Sequence, residues 1–495
     1  MTTQPDPKTQ GLQFPDILLY QGYSAPSRVE ADVRDLEVIG EIPQALNGAY
    51  YRNCADACYP PLLGTDIFLN GDGMVHQVRF ENGHADLKTR YVRTTKYKLE
   101  TAARRALFGA YRNSFTDLPE VAGQDNNTAN TSVMWHHGKL YALKESGRPY
   151  EMDPATLETI GETDFDGKLQ RTFTAHPKID PETGECLAIA YNAPGHACNT
   201  IELYVISPEG KITWNESFEA PYCSAVHDFL ITRNHFVIGF GPLVCDWDRV
   251  KKGEPYWHWD SSKKSYVAII PRREGVKKIR WFNAPRTVTF GHTFNAWDEQ
   301  TPQGDVVHAN CCIMESGWIS QFPDINDPDA KELPPFPERW TFDLGNPEDT
   351  IGIKRLAPLP GEMPIFDPRF ATRKTQHTWF GTINPALGPM LEWGPKGPPF
   401  TCVAHLNEAN GKLDFWYAGP DSAPEEPIFV PRAGAPEGEG WILTIVGRRA
   451  ENRTDLVILD AQNIAAGPVA TVKMPFRIHE GFHGIWVGEK ELGWA

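Results

Sequence analysis

The sequence predicts an all-β protein of the propeller type, and three observations carry that prediction. Its periodic segments are short, rich in β-branched and aromatic residues, and bounded by Gly, Pro, Asn or Asp. A unit of strand, corner and strand recurs along the chain. Four histidines in distinctive settings lie far apart in sequence, and strands converging on one axis would bring them together.

The segments that read as strands are 140–143, 201–206, 236–240, 265–270, 305–311, 413–418, 427–431, 441–446 and 456–459. Helical spacing is sparse; the best stretch is 101–111, with a weaker one at 274–281. The clearest repeat is 138–159, two strands joined by Ser-Gly-Arg and followed by an Asp-Pro-Ala-Thr-Leu corner. Residues 454–474 echo it, and the stretch from Leu203 to Ile212 does so more loosely. No charged or low-complexity linker divides the chain, so 1–495 is expected to be one domain with an N-terminal extension over 1–30. The Pro-rich stretches 324–337 and 384–400 read as long surface excursions.

Composition excludes several classes. A formal charge of −16, with no basic cluster, argues against nucleic acid, whose phosphates need a cationic surface. No run of about eighteen apolar residues is present to span a bilayer. The polar start, Met-Thr-Thr-Gln-Pro-Asp-Pro, lacks the pattern of a secretory signal, so a cytoplasmic location is expected. Nine cysteines without framework spacing fit reduced thiols. Cys54 with Cys58, and Cys311 with Cys312, read as small buried hydrophobes ahead of metal ligands.

The histidines carry the chemistry. His176 stands in Thr-Ala-His-Pro, His227 in Val-His-Asp-Phe-Leu, His292 in Gly-His-Thr-Phe-Asn and His483 in Gly-Phe-His-Gly. Neutral imidazole suits zinc, copper, iron and nickel. Taken singly, a histidine is more often a satisfied structural residue than a ligand. The settings raise the ligand reading: Gly481 and Gly484 let backbone approach closely around His483, and His227 falls in a 223–232 run that reads as a strand.

Further motifs join these into a resemblance. They are 40–53 (Gly-Glu-Ile-Pro-Gln-Ala-Leu-Asn-Gly-Ala-Tyr-Tyr-Arg-Asn), Asn-Gly-Asp-Gly-Met-Val-His at 70–76 and Ala-Asn-Thr-Ser-Val at 129–133. Then come Glu-Met-Pro-Ile-Phe-Asp-Pro-Arg at 362–369, Glu-Pro-Ile-Phe-Val-Pro-Arg at 426–432, Gly-Trp-Ile-Leu-Thr at 440–444 and Gly-Phe-His-Gly at 481–484. Nearly from end to end, the chain resembles the carotenoid cleavage oxygenases. The resemblance implies a seven-bladed β-propeller, capped by loops and a few short helices, with a non-haem Fe(2+) on its axis held by His176, His227, His292 and His483. It places Glu145, Glu362 and Glu426 as carboxylates that accept the outer N–H of three of those rings, and leaves His176 without one. It places Thr131 where a threonine crowds a remaining coordination position.

Within that family the chain looks most like the lignostilbene and resveratrol-cleaving dioxygenases. Tyr111, in Phe-Gly-Ala-Tyr-Arg-Asn, and Lys144, directly before Glu145, match positions that grip a substrate's 4-hydroxyl. Phe68 is a candidate to stack on a substrate ring. The expected activity is cleavage by O2 of the central C=C bond of a 4-hydroxylated stilbene to two aromatic aldehydes. Cleavage of carotenoids, apocarotenoids or propenylphenols such as isoeugenol is the alternative. The mixed charges of 101–121 weaken a membrane-drawn carotenoid substrate. A binding propeller without catalysis need not keep four histidines and their glutamates. A homodimer is compatible with the resemblance, and the sequence does not fix the oligomeric state.

Overall fold

The short β-branched segments form strands that overlap each expected one, and alternation along them gives every sheet two apolar faces to bury. The computed structural model describes residues 13–317, 322–392 and 394–494. Seven antiparallel sheets follow one another around an axis, each a propeller blade.

The first blade runs Ala31–Val33, His84–Tyr91, Asp72–Glu81, Gly48–Asp56 and finally Gly481–Gly488. The second to sixth blades are chain-sequential: Ser132–His136 to Thr159–Glu162, Lys178–Ile179 to Ile212–Glu219, Leu230–Ile231 to Arg280–Asn283, Thr289–Thr301 to Ile351–Arg355, and Gly361–Phe366 to Lys412–Tyr417. The seventh contains Ser422–Pro424 and Ile428–Pro431, then Gly440–Arg448, Arg453–Asp460 and Pro468–Lys473, with the early strand Glu37–Gly40 at its outer edge.

The ring is therefore closed twice. Gly48–Asp56 pairs with Gly481–Gly488 in a register that sets Gly48 opposite Gly488, and Glu37–Gly40 pairs with Pro468–Lys473, with Glu37 opposite Lys473. Closure of this kind removes the free edges an open sheet would expose.

Seven apolar clusters lie between neighbouring blades, one at each interface. Leu46, Tyr50 and Val78 of the first blade, for instance, meet Leu443, Ile445 and Leu456 of the seventh. Sheet packed on sheet supplies these seven clusters. Gly239 shows how close the faces come, since a Cβ there would collide with the Phe290 ring of the next blade.

Several sequence expectations need correction. The helix is Thr95–Ala103, capped by the Thr94 hydroxyl and ended by Arg104 at φ 57°, so 101–111 is mostly irregular. The apolar residues that suggested a helix there belong to a loop, whose Leu107 and Phe108 N–H groups donate to the Glu100 carboxylate at 2.9 and 3.1 Å. At 274–281 there is one 3-10 turn, Val276–Lys278, and then the strand Arg280–Asn283. There the Glu216 carboxylate takes the Val276 N–H at 2.8 Å, and Gly275, at φ 73°, turns the chain out of any helix.

The 223–232 run is a strand only at Leu230–Ile231. The described residues of 384–400 are irregular and mostly at the surface, as expected, and the Lys396 ammonium ties them down by donating to the Glu480 and Gly481 carbonyls at 3.3 and 2.9 Å. Residues 1–12 of the expected extension lie outside the described residues. The part that follows packs on the ring, with the Tyr23 hydroxyl 3.0 Å from the Thr454 hydroxyl. No described helix is long and apolar enough to cross a membrane.

Candidate metal centre

Each blade presents one end strand to the axis, and neighbouring end strands touch around much of the ring. Thr131, His176, His227 and Glu426 stand just before the starts of those strands, and His292, Glu362 and His483 within their first four residues. The propeller thus gathers residues that sequence alone leaves hundreds of positions apart. His292 and Glu362 sit where the ladder slips register, between Phe290 and Thr293 and between Glu362 and Ile365, and the pairing of the last strand slips beside His483, between Arg52 and Cys54. Bulges of this kind re-aim side chains toward a site. Met363, inside one of them, takes φ 53°, a backbone state β-unbranched side chains seldom adopt, and is held there by its N–H on the Glu362 carboxylate at 2.6 Å.

The four histidines converge through Nε2. The separations are 2.9 Å from His176 to His227, 3.0 Å from His227 to His292 and 3.1 Å from His292 to His483. All four ligand atoms lie within 4.8 Å of one another, so the group can hold a metal ion. The spacing fits one: nitrogens about 2.1 Å from a central ion, at right angles to each other, stand about 3.0 Å apart. Four neutral imidazoles, with no thiolate or carboxylate among the ligands, suit a borderline divalent metal.

Three rings are fixed from behind. His227 Nδ1 bonds Glu145 Oε1, His292 Nδ1 bonds Glu362 Oε2 at 2.6 Å, and His483 Nδ1 bonds Glu426 Oε1 at 2.8 Å. In the tautomer this requires, Nδ1–H donates and Nε2 keeps its lone pair for the ion. Burial raises the Glu145 and Glu362 carboxyls, and the facing imidazoles outweigh it, holding both below the usual carboxylate range. The Glu362 carboxylate also takes the His292 backbone N–H at 3.1 Å, and Glu426 takes that of Gly484 at 2.8 Å. Among the described residues no carboxylate stands behind the His176 ring; its backbone N–H donates to the Thr174 hydroxyl at 2.9 Å. Gly484 is needed for space, because a Cβ would stand 2.7 Å from the Tyr51 carbonyl. Replacing Glu362 by Gln is expected to weaken metal binding or activity about 10- to 100-fold. Metal titration of the variant against wild type checks this, and equal affinity with equal turnover refutes it.

Lys144 and Glu145, just past the end of the strand Lys139–Leu143, diverge. Glu145 turns behind His227, while Lys144, only 3 % exposed, sends Nζ to the Leu69 carbonyl at 2.9 Å and Asn130 Oδ1 at 3.0 Å. Burial lowers its ammonium to about 8, partly offset by Glu145. The same Nζ lies 5.3 Å from the Tyr111 ring centroid. Burial pushes the Tyr111 phenol up to about 12, against the Arg112 charge. Thr131 is buried; its carbonyl accepts the His483 N–H at 3.3 Å and its hydroxyl donates to Asn130 Oδ1 at 3.0 Å. Phe68 stands 5.9 Å from Phe482, the residue before His483.

Sequence reasoning missed three supports. Asn130, fully buried, accepts from both Lys144 and Thr131 and donates to the Leu69 and Gly71 carbonyls at 3.0 and 2.6 Å. It ties the lysine wall to the histidine face. Asp228 pairs with Lys178 at 2.7 Å and takes the Thr293 N–H and hydroxyl, each at 2.8 Å, linking residues next to three of the histidines across three blades. The available signal in each case was a polar residue within two positions of one already singled out: Thr131, His176 or His227.

Fold and site together define a propeller whose axis carries four histidines able to hold a metal ion. The chain belongs to the carotenoid cleavage oxygenase family, whose model, described as retinal pigment epithelial membrane protein, matches residues 24–488. It is a carbon–carbon double-bond-cleaving dioxygenase. The chain is 42% identical over 471 residues to the isoeugenol monooxygenase of Pseudomonas nitroreducens, covering 94% of this chain and 97% of that one. It is 40% identical to lignostilbene-alpha,beta-dioxygenase isozyme III of Sphingomonas paucimobilis, covering 97% and 99%. The crystal structure of Pseudomonas brassicacearum lignostilbene dioxygenase superposes with a TM-score of 0.90 at 38% identity, covering 97% and 100%.

Proposed function

We propose that the chain is an Fe(2+) enzyme that cleaves the central double bond of 4-hydroxylated stilbenes with O2, giving two aromatic aldehydes. The observation that carries this reading is the pinned lysine. Two N–H bonds of Lys144 are spent on the Leu69 carbonyl and Asn130, which leaves the third for a ligand beside the Tyr111 ring. A buried ammonium fixed in this way is built to meet an oxyanion, and a phenolate supplies one.

In this reading His176, His227, His292 and His483 hold the iron, with Glu145, Glu362 and Glu426 fixing three of the rings. Iron(II), when bound, supplies the redox chemistry that activates dioxygen. The chain's own residues do the rest. The Lys144 ammonium and the Tyr111 hydroxyl bond the substrate's 4-hydroxyl and favour its phenolate, whose charge spreads through the conjugated system to the alkene. Phe68 stacks on a ring, and Thr131 narrows the open side of the histidine face. The two oxygen atoms of O2 end in the two aldehyde groups, so the stoichiometry closes without a reductant.

Propenylphenols are the second reading, favoured by the relative named isoeugenol monooxygenase. They carry the same 4-hydroxyl and differ in what lies beyond the alkene. Product analysis after anaerobic iron loading and exposure to O2, with stilbene, propenylphenol and apocarotenoid panels, separates them. Hydroxystilbene should react fastest, and its 4-methoxy analogue far more slowly, because a polar site left unpaired rejects the analogue. Equal rates for phenol and methyl ether, or a preference for apocarotenoid, overturn the phenolic assignment.

A further inference from the structure

Behind the wall that carries Tyr111 lies a pair of cysteines the oxygenase reaction does not use. Ser224 bridges Val244 in antiparallel sense, and the Ala225 N–H donates to the Leu243 carbonyl at 2.9 Å. Carried one residue on, this register sets Cys223 opposite Cys245 with both side chains on one face. Facing residues of an antiparallel ladder have Cα atoms about 4.5–5.5 Å apart, inside the span a disulfide bridges. Both residues are half-buried, and their thiols interact directly.

The surroundings are cationic. Arg112 is buried among the rings of Tyr111, Tyr191, Tyr256 and Trp257, at 5.0 to 5.9 Å, and its Nη1 has no hydrogen-bond partner. Tyr256 connects this cage to the thiols: the Asn192 amide donates to its hydroxyl at 3.3 Å, and Asn192 Oδ1 accepts from Cys223 Sγ at 3.4 Å. Contact with Cys223 holds the Cys245 thiol below its ordinary value against burial, with help from Tyr256 and Arg112, while the same contact pushes Cys223 up. Of the two thiols, Cys245 is therefore the more readily ionised.

We propose that Cys223 and Cys245 form a redox-active dithiol, in which Cys245 reduces a peroxide and Cys223 resolves the product to a disulfide. The Cys245 thiolate attacks one peroxide oxygen. An S–O bond forms, the O–O bond breaks, and hydroxide or alkoxide leaves and is protonated by water. The Cys223 thiol then attacks the sulfenic sulfur, an S–S bond forms, and the S–O bond breaks with loss of water that carries the Cys223 proton. Two thiols are oxidised by two electrons in total, and hydrogen peroxide is reduced to two waters.

The test uses the iron-loaded protein and one equivalent of hydrogen peroxide, followed by alkylation and a digest without reductant. The expected product is a single cross-linked peptide pair joining Cys223 to Cys245, with free thiols falling from nine to seven and restored by dithiothreitol. In Cys223→Ser the reaction should stop at a Cys245 sulfenic acid that dimedone traps. Before any oxidation, Cys245 should react with iodoacetamide roughly tenfold faster than half-buried Cys58, whose thiol burial pushes up to about 12. A cross-link that involves Cys198, oxidation of other thiols ahead of this pair, or a Cys245 no faster than Cys58 would each overturn the proposal.

Discussion

Replacing any one of His176, His227, His292 or His483 by alanine is expected to remove iron from the purified protein and to abolish turnover. The loss should exceed the roughly 10- to 100-fold effect of an outer carboxylate, because a ligand contributes directly to the ion while its partner only orients it. The reason lies in the spacing. With Nε2 atoms 2.9 to 3.1 Å apart along the series, each ring already occupies one corner of a set that a single ion can bridge. Removing one leaves a gap that no described carboxylate fills, since Glu145, Glu362 and Glu426 are committed to Nδ1 atoms on the far side of the rings. Metal analysis of the four variants, with circular dichroism as the folding control, reads the result. A variant that keeps full iron and full activity removes that histidine from the ligand set.

Lys144→Met should leave iron in place and lower kcat on the hydroxystilbene by about 100- to 1,000-fold, the scale of losing one preorganised charge at a developing anion. Tyr111→Phe should cost less, about 5- to 10-fold, since it removes one neutral hydrogen bond. The pH dependence gives an independent reading. Burial has brought the Lys144 ammonium down to about 8, so the charged form dominates below that pH and is lost above it. If the charge is what favours phenolate, kcat/KM should fall as pH rises through about 8 in wild type, and that limb should vanish in Lys144→Met. A variant whose profile keeps the limb, or whose turnover stays near wild type, would show that the lysine only supports the wall.

The all-β character, the repeat at 138–159 and the strands were legible in the sequence because period-two alternation and turn residues are local signals. The helix near residue 101 was misplaced for an instructive reason. Leu107, Phe108 and Tyr111 have helix-like spacing, yet Glu100 takes the N–H groups of Leu107 and Phe108 that a helix would use, and Arg104 has already turned left-handed. His227 likewise sits before its strand and not within it. The blade count and the ligand set were legible only through family motifs, since nothing local in Thr-Ala-His-Pro announces an ion. Asn130, Lys178 and Asp228 escaped because their meaning is a cross-blade hydrogen bond, and pairing between distant segments leaves no mark on composition or period.

The last strand of the first blade has a consequence for how the protein comes into being. Three of the four histidines have emerged once synthesis passes residue 292, but His483 arrives with the strand that zips against Gly48–Asp56. A ring still open can therefore offer an ion at most three of its four imidazoles. Pairing of Gly48–Asp56 with Gly481–Gly488 and delivery of the fourth imidazole are one event, while the pairing of Glu37–Gly40 with Pro468–Lys473 can close the ring without it. The full set of four ring nitrogens is thus present only in molecules whose two ends have already found each other.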